Sequence, residues 1–165
     1  MSQLKVNSII PAGGLSGGAS GGILQVKQVG KTDVTQVQSS GNNDYSDIPS
    51  LSLAITPSSS SSKILVMVAL TVGGNNGAFS LKILRDSTEV GSPSDGPRPA
   101  MIHRYTTTTY LDSNAINFLD SPNTTSSITY KVQISTHGNI MRINKWSGGD
   151  DFNTASYLTL LEVSG

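Results

Sequence analysis

The sequence predicts an all-β fold: a single antiparallel β-sandwich of the jelly-roll kind, about eight strands, with an extended N-terminal arm. Three observations predict it. Serine and threonine supply 41 of the 165 residues and glycine another 17; all three disfavour helix, and threonine favours strand. Apolar residues recur at every second position in several short runs, the period of a half-buried strand. Clusters of Gly, Pro, Asn, Asp and Ser break those runs at the spacing of a sandwich or barrel.

The elements follow in order. Residues 1–12 form the arm, with Leu4, Val6, Ile9 and Ile10 as its apolar grip and Pro11 as its stop. Residues 13–22 hold six glycines and read as a flexible joint, because glycine loses the most backbone freedom on ordering. The body is 23–165. Its first strand is 22–29, and a polar loop follows at 39–47. Residues 51–56 set Leu51, Leu53 and Ile55 on one face, and "PSSSSS" (57–62) is a turn. "KILVMVALTV" (63–72) is apolar on both faces, which implies cover on both sides. That cover is either a loop or a second subunit. Leu65, Met67 and Ala69 are the interface candidates on its outer side.

"GGNNG" (73–77) reads as a hairpin-type turn into 78–86, with Phe79, Leu81 and Ile83 inward. Residues 91–109 read as one long irregular loop carrying three of the seven prolines, and loops of that length are often functional. Strands follow at 110–120 and at 127–135. The second alternates most cleanly, with Ile128, Tyr130, Val132 and Ile134 inward. Residues 140–146 form another strand, 147–154 a loop, and 156–163 the last strand.

Composition bounds the function. The length suits one domain. There is no cysteine, so disulfides and thiolate metal sites are excluded. Eleven basic residues balance eleven acidic ones, with no basic run of the kind a nucleic-acid groove carries. The longest apolar run is far too short for a membrane helix, so no membrane insertion is expected. Nothing in the first ten residues reads as a secretory signal.

Catalytic and metal chemistry find little support. His103 and His137 show no metal-ligand spacing and read as turn or loop histidines. Asp150 and Asp151 offer too few oxygens for calcium but suit a sugar hydroxyl or a solvated turn. The glycines at 13–22 precede a strand and lack the helix and lysine of a phosphate loop. No catalytic residue, metal or cofactor is expected, and the reading is non-enzymatic. Trp146, beside "SGGDDF", is either a contact residue or a core residue closing the sandwich. His103, Arg104 and Tyr105 form the second contact candidate.

Three segments carry a resemblance: "LKVNSIIPAGG…GGILQVKQV", "LSLAITPSSSSSKILVMVALTVGG…LKILRDSTEVG" and "FLDSPNTTSSITYKVQI…INKW". Together they resemble short tail-fibre-like or virion structural proteins of marine bacteriophages. The loops 91–109 and 147–154 match least. The resemblance implies a body similar to the tumour-necrosis-factor-like jelly rolls and assembly as a homotrimer. It also implies attachment to other virion proteins, of capsid or tail, through the arm, and a host-surface glycan or protein as the outer partner. A fibre knob and a capsid decoration protein both fit. A polysaccharide-degrading enzyme fits less, because paired carboxylates across a cleft are not apparent.

Overall fold

The computed structural model describes residues 22–149 and 152–165. The arm, with Leu4, Val6, Ile9 and Ile10, most of the glycine joint, and Asp150 and Asp151 lie outside the described residues. Nine strands form one continuous antiparallel sheet: β1 (Ile23–Lys31), β2 (Thr35–Gln38), β3 (Ser46–Ile55), β4 (Lys63–Arg85), β5 (Thr88–Val90), β6 (Ile102–Asp120), β7 (Ile128–Ser135), β8 (Ile140–Ile143) and β9 (Ser156–Val163). The described residues contain no helix.

The sheet folds onto itself because β4 serves two layers. Its first half pairs with β9 on one side and β6 on the other; its second half pairs with β7 and with β5 and the start of β6. One layer is therefore β1–β9–β4–β6. The other is β3–β7–β4 with β5 and the start of β6. Together they make a nearly closed, barrel-like sandwich with a single core.

The bend corrects the reading of "GGNNG" as a hairpin. The chain does not reverse there; β4 runs through it while staying paired with β6, and the register shifts once between Asn75 and Gly77. Asn76 and Gly77 have positive φ, 54° and 149°. The inward-facing set switches across this point from Ile64, Val66, Val68, Leu70 and Val72 to Phe79, Leu81 and Ile83. Gly73 serves close approach: a side chain there would strike the Lys145 carbonyl.

The alternations expected for 51–55 and 128–134 hold, with Leu51, Ile55, Ile128, Tyr130, Val132 and Ile134 all in the core. A fully buried Leu, Ile or Val side chain contributes roughly 1.5–3 kcal/mol, so this cluster is the main stabilising element.

Two polar joints close the ends. Asn144, at φ 65°, donates to the Lys31 and Asp33 carbonyls at 2.7 and 3.1 Å and accepts from Ser156 at 2.5 Å. Its backbone N–H reaches the Thr71 carbonyl, so it ties β1, β4 and β9 together. At the other end the serine turn docks on Glu162. That carboxylate accepts from the Ser58 N–H at 2.7 Å, the Ser58 hydroxyl at 2.6 Å and the Gln25 amide at 2.6 Å.

Candidate functional site

The two layers have different outer faces. On β1–β9–β4–β6 the strand registers align three rows: Val26–Leu161–Leu65–Leu119, Gln28–Thr159–Met67–Asn117 and Gly30–Tyr157–Ala69–Ala115. None of these twelve residues is charged. Met67 is 40% exposed, Leu119 51% and Val26 58%, while Leu65 is half-buried and Ala69 exposed. A groove of about 340 Å³ runs along the lower two rows, past Met67, Ala69 and Tyr157. Among the described residues, the doubly apolar run 63–72 is covered on its inner side and no segment covers its outer side.

The outer face of the other layer is polar. Lys131 and Gln133 reach Asp47 at 2.9 and 2.6 Å, and Lys82 pairs with Glu89 at 3.2 Å while lying over the Tyr45 ring. Into this face opens a cavity of about 460 Å³, lined by Ala78, Ser80, Arg98, His103, Tyr105, His137 and Asn139.

The register of β4 builds this cavity. Ser80 pairs with His103 on β6 on one side and with Ser135, the last residue of β7, on the other. After Ser135 the chain makes a tight turn, closed by the Asn139 N–H on the Thr136 carbonyl at 2.9 Å. Its two central residues, His137 and Gly138, have φ of 53° and 87°. That left-handed pair is the signature of a type I′ turn. The turn throws His137 back over Ser80. The Ser80 hydroxyl then sits 2.9 Å from His103 Nδ1 and 2.8 Å from His137 Nε2, with the rings 5.1 Å apart.

Arg98 comes from the loop before β6. That loop is held by the Met101 N–H on the Leu81 carbonyl at 2.9 Å, and more loosely by the Tyr45 hydroxyl on the Pro99 carbonyl at 3.4 Å. With the Asn42 amide turned so that its oxygen faces the Arg98 guanidinium, that oxygen accepts from Arg98 at 2.9 and 3.1 Å. Burial, the second imidazole and the Arg98 charge together hold the His137 pKa below its ordinary 6.5.

A serine hydroxyl has one proton to give. At most one imidazole therefore accepts from Ser80, and at least one donates to it. With both rings neutral, at least one of their outer nitrogens is an acceptor. A proton added to the pair turns an outer acceptor into a donor. Ser80 itself is almost fully buried, and no carboxylate hydrogen-bonds either imidazole among the described contacts. Among the described residues no cluster of three His, Cys, Asp or Glu could hold a metal.

Several expected contact residues move. His103, Arg104 and Tyr105 lie on β6, not in a loop, because β6 begins at Ile102 and the irregular stretch ends there. His103 and Tyr105 line the cavity, whereas Arg104 turns to Asp112 at 2.9 Å. Trp146 is half-buried, edge-on to Phe152 at 5.8 Å, and does not line the cavity. Ser80, Arg98, His137 and Asn139 were not expected as cavity residues. The sequence signal was slight: the only two histidines stand 34 positions apart, and only the β4 register brings them together.

No protein-family model matches the chain, and no curated protein does. Among solved structures, the infectious bursal disease virus VP2 subviral particle aligns over 86% of this chain with a TM-score of 0.51 and 14% identity. The match covers 33% of that chain, so this chain spans a third of its length. The structure of the infectious bursal disease virus Gt strain aligns over 98% of this chain and 43% of its own, with a TM-score of 0.44 and 14% identity. The first likeness shows a shared all-β fold.

Proposed function

We propose that the chain is a non-enzymatic structural protein of a bacteriophage virion. It assembles as a homotrimer through the outer face of β1–β9–β4–β6 and presents its polar layer to the host surface. One observation carries the reading: twelve aligned residues with no charge, on the outside of a body whose opposite face is charged. A face of this breadth with no charge and with Val26, Leu119 and Met67 exposed suits an interaction surface, and the lack of charge lets further copies of the chain meet there without repulsion. Residues 1–12, with Leu4, Val6, Ile9 and Ile10, are the attachment arm to the other virion proteins. The likeness to a VP2 subviral particle supports a role in a virus particle; a second reading is a decoration protein on the head.

Native mass spectrometry tests the assembly. The protein should run as a trimer, and Met67→Glu should run as a folded monomer, because three carboxylates would be brought together in an apolar interface. A wild-type monomer at micromolar concentration, or a Met67→Glu protein with unchanged mass, sinks the interface. Electron microscopy of antibody-labelled virions separates tail from head; label on neither sinks the virion reading.

A further inference from the structure

We propose that the cavity around Ser80, His103 and His137 binds an acidic saccharide by its carboxylate or sulfate group, and binds it more tightly in acid. The inference takes the host-surface reading only as the place where such a saccharide is met. Binding itself is a property of the purified protein, so it can succeed or fail whatever the position on the particle.

The sign of the ligand follows from the lining. Arg98 supplies a permanent positive charge, and no carboxylate lines the cavity. The two imidazoles can add N–H donors there, and Asn139 adds an amide whose bonds to the Thr136 and His137 carbonyls are long, 3.3 and 3.5 Å. A cation would meet Arg98 at close range, whereas an anion meets converging donors. Of the neighbouring groups, Lys82 is neutralised by Glu89, and Tyr45, which hydrogen-bonds Ser80, is held protonated by burial.

The saccharide part follows from size and rim. The volume lies in the range of small-molecule sites. Tyr105 stands at the mouth with its residue 66% exposed, a flat apolar ring beside polar groups. A sugar ring has the matching arrangement, with an apolar C–H face and hydroxyls at its edge.

The acid dependence follows from the single proton of Ser80. Protonating the pair turns an acceptor nitrogen of these cavity-lining rings into a donor. It also places an imidazolium near Arg98, which is unfavourable until an anion neutralises both. Anion binding and proton uptake are therefore linked, and affinity rises by up to tenfold per pH unit while one proton is taken up.

The test uses the two imidazoles as reporters, since the chain has only two histidines. Their C–H resonances, assigned with His103→Asn and His137→Asn, are titrated with glucuronate, acetate and glucose at about pH 5.5 and about pH 7.5. Asparagine is chosen at 137 because it tolerates the left-handed backbone there. Glucuronate should shift both resonances and raise the histidine pKa. It should bind at least tenfold tighter than acetate and at least tenfold tighter at the lower pH. Arg98→Gln should abolish the response while thermal melting stays within a few degrees of wild type.

No response to glucuronate, or a response that survives in Arg98→Gln, overturns the site. Equal affinity for acetate and glucuronate overturns the saccharide assignment, and an equal response to glucose overturns the acidic one. A one-to-one zinc complex seen with no anion response also overturns it.

Discussion

Replacing Glu162 with glutamine tests the joint that fastens the serine turn to the end of the barrel. Residue Glu162 is 1% exposed, and its carboxylate accepts three hydrogen bonds from Ser58 and Gln25. Burial alone would raise its pKa. The hydrogen bonds from Ser58 and Gln25, with a smaller pull from Ser62, outweigh that and hold it at about 2, against 4.5 for a free glutamate. A drop of that size corresponds to about 3 kcal/mol favouring the charged form in the folded state. The native pKa lies below the unfolded one, so this stability is fully present above about pH 4.5 and is lost as pH falls through about 2. Glutamine keeps one acceptor but turns an N–H₂ toward donors that need a lone pair.

Glu162→Gln should therefore lose about 2–3 kcal/mol at neutral pH, or roughly 5–10 °C in melting temperature for a chain of this size. Guanidinium denaturation at fixed protomer concentration, at about pH 7 and about pH 2.5, measures it. The gap between variant and wild type should shrink below about 1 kcal/mol at the acid end. A gap under about 0.5 kcal/mol at neutral pH, or one unchanged in acid, would refute the reasoning.

Two further substitutions probe the frame. Asn144→Ala strands the Lys31 and Asp33 carbonyls and the Ser156 hydroxyl and leaves alanine at φ 65°; it should cost about 3–4 kcal/mol in equilibrium unfolding. Gly73→Ala drives a methyl group into the Lys145 carbonyl, whereas a methyl group at Gly41 meets nothing within 4 Å. The first should yield little folded protein by circular dichroism, and the second should melt within about 2 °C of wild type.

How far the sequence reports the fold depends on whether a strand faces the core. Strand β7 alternates cleanly because one side is fully buried, so its period was legible. The first half of β6 has no such contrast. Residues 103–105 are all exposed, so pairing with β4 leaves no periodic mark on "HRYTTTT". The "GGNNG" segment carries every sign of a reversal, yet its glycines answer to a neighbouring carbonyl and to a change of layer. Local turn chemistry does not separate a bend from a hairpin. The apolar outer side of β4 was visible as a run of residues without gaps. The cavity was not, since its members come from four separate stretches and meet only through register.

Strand β9 is the last of the nine in sequence but lies between β1 and β4 in its layer. During synthesis β1 emerges early and has no partner strand until residues 156–163 appear. Its exposed Ile23, Leu24 and Val26 then belong to an unpaired edge until those residues are made. Unpaired apolar edges of this sort are what nascent chains aggregate through. The uncharged outer face, whose rows all cross β9, therefore cannot exist before that strand is made.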